Sequence, residues 1–385
     1  MFKLIPRVDA QTKPSLSLPK NLFDVQPLAK AVNYGASMFS DSRVEGVDGT
    51  LSQLIQLNKQ QSLGAKLTEK CTTLPYSVSL LHVDAALPLS INPSRELVDF
   101  GYEHEERLGI KRSARERIYP DSGEGSQVYC CMSDGLLLRG FKSPDDVYSY
   151  FVALGASGIS KPLMKFGVDV SRIGLVQFFK ALCDLSKPEM KRLVDQIIKS
   201  ESNFGVRYTN EYEVANLLHS SNSSVFSVVG AFIFNCYRVQ PSHVVYVPVG
   251  VPYQLLSGSF VEVRVGTANV VEFHSGGQKY CPGDSFASIR LDASEEVFSD
   301  MRIFEGYALY EHKNFPCNLG LYQVSQRGVE FDVKSPELIV CVNGQLNAEG
   351  KGRLITLTGG ECAFVLKSVG NCRLTGAGLV LRIGV

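Results

Sequence analysis

The sequence predicts a mainly β protein: two β units, with a helical insert set into the first of them. Three observations carry that expectation. After residue 220, short runs rich in Val, Phe and Tyr recur, each bounded by Gly, Pro or Asn: VFSVVGAFIF (225–234), VVYVPVG (244–250), FVEVRVG (260–266), GVEFDV (328–333) and ELIVCV (337–342). Between 143 and 220 the apolar residues take helical spacing instead. No strand–helix–strand alternation runs through the chain, so the strands are expected to pair antiparallel and to build sandwiches or jelly rolls. At roughly 100 to 200 residues per domain, 385 residues make two or three domains.

Taken in order, the N-terminal MFKLIPRVDAQTK lacks the apolar stretch of a signal peptide. No run approaches the roughly 20 apolar residues of a membrane span, so the expected compartment is the cytoplasm, with no membrane contact. From about 51 to 141, apolar runs such as LPYSVSLLHV (74–83) alternate with polar loops. The charged stretch RELVDFGYEHEERLGIKRSARER (95–117) mixes both signs and reads as a solvated helix and loop. A helix is expected to start at Ser143, with Pro144 in its first turn, Asp146 complementing the dipole, and Val147, Phe151 and Leu154 at helical spacing. A second starts at Ser186, close before Pro188, and puts Met190, Leu193, Val194, Ile197 and Ile198 on one face. Asn343 and Gly344 predict a type I′ hairpin after ELIVCV, because that turn needs positive φ at both positions. LTGGECAFVLKS (357–368) predicts a Gly-Gly corner leading back into a core strand.

Composition narrows the function classes. Thirty-nine basic residues balance thirty-nine acidic ones, so no net field steers the chain onto nucleic acid. Ten cysteines, scattered apart from the adjacent Cys130 and Cys131, show neither disulfide density nor zinc-finger spacing and are expected to be reduced and mostly buried. Tryptophan is absent although there are 16 Tyr and 21 Phe. No phosphate-binding loop, HExxH, GxSxG or dinucleotide fingerprint is present.

Three stretches go further: LPYSVSLLHVDAALPLSINPSREL (74–97), GSQVYCCMSDGLLLRGF (125–141) and VYVPVGVPYQLLSGSFVEVRVGTANVV (245–271). Together they resemble the type I mannose-6-phosphate isomerases. In that family the first region ends in Gln-x-His-Pro, the second reads Lys-Pro-Glu and then Gly-Phe, and the third contains Pro-His and Asn-Val-Val-Arg. GTLSQL (49–54) and KALCDLSKPEMKRLVDQIIK (180–199) also resemble their counterparts in the family's eukaryotic branch. The resemblance implies two cupin (jelly-roll) domains and a helical one: 1–142 with 221–300 as the catalytic-type cupin, 143–220 as the helical insert, and 301–385 as the C-terminal cupin. The missing tryptophan fits the same comparison. Where the family has Tyr-x-Trp-Gly this chain has Asn33, Tyr34 and Gly35, and a second Trp motif is unrecognisable between residues 36 and 49.

The family holds one zinc with Gln, His, Glu and His, and uses it to polarise the substrate during aldose–ketose proton transfer. In this chain Gln-x-His-Pro shrinks to Ile91, Asn92 and Pro93, so Asn92 stands for one ligand and the other has no counterpart. The glutamate position is Gln127, the second histidine position Tyr253, the arginine position Glu272, and the lysine ahead of the glutamate Gly125. No zinc or other cofactor is therefore expected, and no catalytic residue is assigned. Candidate pocket residues are Asn92, Gln127, Tyr253, Glu262 and Glu272, with Arg95, at a family lysine position, as a phosphate or sugar contact. His82, His104 and His274 lie nearest the motifs; Glu262, His274 and Gln127 would be the members of any relocated zinc site. Three readings follow: a zinc-lacking pseudoenzyme that binds hexose 6-phosphate or a regulatory protein partner, an isomerase with a rearranged metal site, and a purely structural interaction protein.

Overall fold

The computed structural model describes residues 1–8, 31–37, 40–114, 117–220, 225–273, 283–291 and 298–385. Their strands form one eleven-stranded and one ten-stranded sheet, and the α-helices gather between residues 144 and 230 apart from the segments 51–68 and 95–107. The mainly β architecture with a helical insert is as the sequence predicts.

The strand Tyr253–Gly266 is the spine of the first sheet. Its second half pairs with Tyr76–Val83 on one side and Gly125–Cys131 on the other. Its first half, beyond a register shift between Leu255 and Ser257, pairs with Gly135–Phe141 and touches Ser90–Ile91. The sheet therefore folds over on itself into two layers. Leu81, Val83, Tyr129, Cys131, Val245 and Val247 face Leu137, Val239, Tyr253 and Leu255 across the interior. The alternate residues Val128, Cys130, Val244, Val261 and Val263 point the other way, onto Leu319, Leu338, Val340, Leu381 and Ile383 of the second sheet. A strand apolar on both faces is what a middle layer requires. Burial pushes the Cys131 thiol up to about 12, in keeping with an unreactive core cysteine.

The second sheet has two long strands, Glu337–Gly350 and Asn371–Gly384, paired antiparallel over most of their length. Between its layers lie Tyr322, Val324, Ile339, Cys341, Leu346, Leu357, Cys372 and Leu374. Two expectations are corrected here. Asn343 and Gly344 do not turn the chain. They sit inside the strand Glu337–Gly350 at a bulge, where Asn343 Oδ1 accepts from the Leu379 amide at 3.0 Å and only Gly344 takes a positive φ, of 79°. The hairpin comes later, at Lys351 (φ 49°) and Gly352 (φ 71°), closed by the pair Gly350 and Arg353. The first residues also do not join the sheet expected of residues 1–142. Phe2–Ile5 pairs with Cys362–Val365, and Leu4 is buried in the contact between the two sheets.

The helices at Ser143 and Ser186 start as their caps predict. Ser143 Oγ accepts the Asp146 amide at 3.1 Å ahead of Pro144–Leu154. Ser186 and Glu189 form a capping box on Lys187–Lys199, which buries Met190, Leu193, Val194 and Ile197. VFSVVGAFIF is not a single strand, however. Val225–Gly230 is helical, with Phe226, Val228 and Val229 buried against the insert, and the strand begins only at Phe234. An apolar run this short has no periodicity to separate the two outcomes. The charged stretch is likewise only partly a solvated face. After Arg95–Arg107 the chain returns so that Arg117, 0% exposed, reaches Glu105 at 3.1 Å and Glu106 at 2.7 Å, while Glu105 also accepts the Ile118 and Tyr119 amides, each at 2.8 Å. Among the described residues no helix is long and apolar enough to cross a membrane.

Candidate functional site

Strand register brings the site together. Gln127 lies opposite Arg264 and Tyr129 opposite Glu262, so the four side chains occupy one interior face of two neighbouring strands. Asn92 enters from the turn after Ser90–Ile91, held by its own carbonyl accepting the Gly250 amide at 2.9 Å and by Nδ2 donating to the Val247 carbonyl at 3.4 Å. Tyr253, opposite Ser90, completes the group and lies against Tyr129 with 6.1 Å between ring centroids.

Arg264 is the centre of this cluster. Its Nη1 donates to Asn92 Oδ1 at 3.2 Å and its Nη2 to Glu262 Oε1 at 3.1 Å. The same Glu262 oxygen accepts the Tyr129 hydroxyl at 3.2 Å, and that hydroxyl accepts from Gln127 Nε2 at 3.2 Å. The hydroxyl of Tyr253 lies close enough to Arg264 and Glu262 to feel both charges. The side chains of Arg264 and Glu262 are only 12% and 13% exposed, and Asn92 and Gln127 are fully buried. Gln127 Oε1 is buried without a hydrogen-bond partner.

Electrostatics decides what such a cluster can hold. Burial works to lower the Arg264 pKa, but the Glu262 carboxylate together with the Tyr253 and Tyr129 hydroxyls outweighs it and holds the guanidinium above its ordinary value. Burial, with the Glu262 charge added, raises Tyr129 well above the ordinary phenol; Tyr253 is raised too, by burial against the opposing pull of Arg264. Both phenols are therefore neutral at pH 7, and one cation faces one anion. Zinc is held chiefly by imidazole, thiolate or carboxylate lone pairs, with an amide oxygen at most as one ligand among them. The three ligand positions implied by the resemblance offer two amides and a protonated phenol, and the nearby carboxylate is already bound to a guanidinium. The residues present do not fit a zinc ion.

The other expected residues are placed as follows. Arg95 is the first residue of the helix Arg95–Arg107, 71% exposed and 3.5 Å from Asp99, outside the hydrogen-bonded cluster. Glu272 ends the strand Val271–Glu272 opposite Ser90, which also pairs with Tyr253, so Glu272 shares a row with Tyr253 across three strands. His82 is engaged by Ser259 Oγ at 2.7 Å and Asp84 at 2.8 Å; His104 lies exposed on its helix, stacked on Phe100. His274 lies outside the described residues. Among the described residues no group of three His, Cys, Asp or Glu side chains is placed to hold a metal. A Cβ on Gly125 would lie 2.4 Å from the Thr267 carbonyl oxygen, so the position of the family lysine admits no side chain here. Asn269 clamps a loop, donating to the Asp121 and Gly123 carbonyls at 2.8 and 3.1 Å. Sequence motifs single out Glu262 but neither Arg264 nor Tyr129. The alternation in FVEVRVG, which puts Glu262 and Arg264 on one face, was the available signal.

No protein-family model matches the chain. It is 21% identical over 376 residues to the mannose-6-phosphate isomerase of Salmonella typhimurium, covering 93% of this chain and 91% of that one. It is 22% identical over 254 residues to the mannose-6-phosphate isomerase of Rattus norvegicus, covering 62% of this chain and 56% of the relative. Among solved structures, a mannose 6-phosphate isomerase bound with zinc and yttrium superposes with a TM-score of 0.85 at 20% identity, over 100% of this chain and 99% of that one. The Salmonella typhimurium enzyme bound to fructose 6-phosphate and zinc does so with a TM-score of 0.85 at 19% identity and the same coverage. The structures show the shared fold. On these grounds the chain is similar along most of its length to mannose-6-phosphate isomerases and shares their fold.

Proposed function

We propose that the protein binds a hexose 6-phosphate on this scaffold and acts by binding, as a regulatory or interaction protein, without zinc-centred isomerisation. The observation that carries the reading is the Arg264 guanidinium, hydrogen-bonded to Asn92 and Glu262 among the positions where the resemblance expects metal ligands. The choice of ligand is supported by the related Salmonella enzyme, which is seen with fructose 6-phosphate bound. Arg95, three residues on from Asn92 and exposed at the start of its helix, is the proposed contact for the phosphate. Asn92, Gln127, Tyr253, Glu262 and Glu272 are the proposed sugar-facing group. The two sandwiches are read as a pair of cupin domains, the second including the N-terminal strand Phe2–Ile5.

A second reading, supported by the similarity to mannose-6-phosphate isomerases over 93% of the chain, is turnover between mannose 6-phosphate and fructose 6-phosphate. Calorimetry with each sugar phosphate, alongside a coupled assay with and without a chelator, separates the two. The binding reading expects measurable affinity, weakened by Arg95→Ala, with no chelator-sensitive turnover. Stoichiometric zinc with turnover abolished by the chelator would sink it, and absence of any sugar affinity would leave only a structural or protein-binding role.

A further inference from the structure

We propose that the first sandwich contains a cation site filled by the protein's own side chain, the guanidinium of Arg264 standing where a metal would otherwise be held. This deepens the zinc-free reading above and rests on it. Asn92 Oδ1 and Glu262 Oε1 converge on the guanidinium from two different elements, with the Tyr253 hydroxyl close enough to interact with its charge. Gln127 Oε1, buried and unpartnered on the strand position directly opposite, is a further acceptor facing the same space. A guanidinium carries five N–H donors, so a ring of oxygens is what it requires.

An independent observation comes from the second sandwich. There Arg382 donates Nε and Nη2 to the two Glu337 oxygens at 2.5 and 2.8 Å, Nη1 to the Tyr322 hydroxyl at 3.3 Å, and Nη2 to the Asp332 carbonyl at 2.9 Å. Its guanidinium lies 3.7 Å from the Phe331 ring centroid. Each sandwich is thus closed by an arginine, a glutamate and a tyrosine. In the first, Arg264 acts as a positioning residue. It ties the turn at Asn92, and through it the start of the helix bearing Arg95, to the sheet wall formed by Tyr253–Gly266.

The test is a double-mutant cycle in the full-length protein with Arg264→Met, Glu262→Gln and the two together, read by thermal melting, with zinc chloride added to the wild type as the metal probe. Arg264→Met leaves a buried carboxylate without its cation and is expected to lower the melting midpoint by about 5 °C or more. The double variant removes both charges and is expected to recover most of that loss. Wild type is expected to take up no stoichiometric zinc and to show no shift in melting. Ethylguanidinium is expected to restore Arg264→Ala towards wild type, whereas an equal concentration of sodium chloride is not. Where Arg264→Met fails to fold, Arg264→Lys keeps the charge without the planar fork and is expected to be intermediate in stability. Additive effects in the cycle, Arg264→Lys equal to wild type, or one zinc per wild-type chain lost on Glu262→Gln would each overturn the proposal. A failure to bind sugar phosphate, with the cycle still coupled, would count against the proposed function alone.

Discussion

Restoring ligands without removing Arg264 is expected to fail, and the structure sets the size of the failure. Consider Gln127→Glu with Tyr253→His, which returns a carboxylate and an imidazole to two positions where the resemblance expects them. Arg264 Nη1 is 3.2 Å from Asn92 Oδ1. A zinc ion bonded to the same oxygen at about 2.1 Å lies no further than roughly 5 Å from that nitrogen. At that separation and an effective dielectric of about 20, a double charge against a single one repels by roughly 7 kcal/mol, close to 10⁵-fold in affinity. Adding Arg264→Met to the pair removes that term and releases Glu262 from its guanidinium. Zinc affinity measured by competition with a chromophoric chelator is therefore expected to be weak in the double variant and several orders of magnitude tighter in the triple one. Affinities within tenfold of each other would refute the argument, since they would show that the guanidinium swings clear of an incoming metal at little cost.

Further outcomes test the surrounding structure. Burial holds Tyr34, Tyr76, Tyr129, Tyr150, Tyr253 and Tyr310 protonated above the ordinary phenol value near 10. Above that pH the folded chain binds more protons than the unfolded one, so stability falls as pH rises. Tyrosinate absorbance is expected to show these six appearing together with loss of near-ultraviolet dichroism; a smooth titration of all 16 before unfolding would contradict the burial. Arg117→Met is expected to cost about 3 kcal/mol in urea denaturation, because Glu105 keeps a buried charge, whereas Arg112→Met on the exposed side of the same loop leaves the midpoint unchanged. Gly344→Ala is expected to cost about 2 kcal/mol or more, since its φ is 79° and a Cβ would meet the Ala377 carbonyl oxygen at 2.2 Å, while Lys351→Asn in the true turn gains about 0.5 kcal/mol.

What the sequence discloses divides along the range of the interaction. Helix starts at Ser143 and Ser186 are legible because a cap and the first turn lie within four residues of each other. Strands such as Tyr76–Val83 and Glu337–Gly350 are legible from alternation and β-branched content. Asn343 and Gly344 mislead because the dipeptide signal is local, whereas its fate depends on pairing with Leu379 and Gly378 on another strand. The mixed charges of residues 95–117 suggest a solvated face, and nothing in their count shows that Arg117 folds back onto Glu105. Arg264 is hidden for the same reason: its meaning depends on register with Gln127, from a strand distant in the chain. Three of the ligand-position substitutions, Asn92, Gln127 and Tyr253, are legible singly, but not that a fourth residue, Arg264, lies among them and hydrogen-bonds to Asn92.

That fourth residue makes the substitutions intelligible as one electrostatic change. Around a divalent ion a glutamate at position 127 would be favourable, because its charge is compensated. Around a guanidinium with only one positive charge, already paired with Glu262 at 3.1 Å, a second buried carboxylate would be left in excess and would carry a desolvation penalty of several kcal/mol. Gln127 offers the same shape without the charge. Tyr253 follows the same logic: a phenol kept neutral by burial adds an uncharged hydroxyl and an aromatic face against Tyr129 without altering the charge balance. Stability alone does not account for the arrangement, since a buried ion pair roughly breaks even against apolar residues of similar size. What the pair supplies is position. It fixes Asn92 against the sheet and commits the interior to one cation and one anion, a balance that a sugar hydroxyl can join by hydrogen bonding but that a second cation would upset.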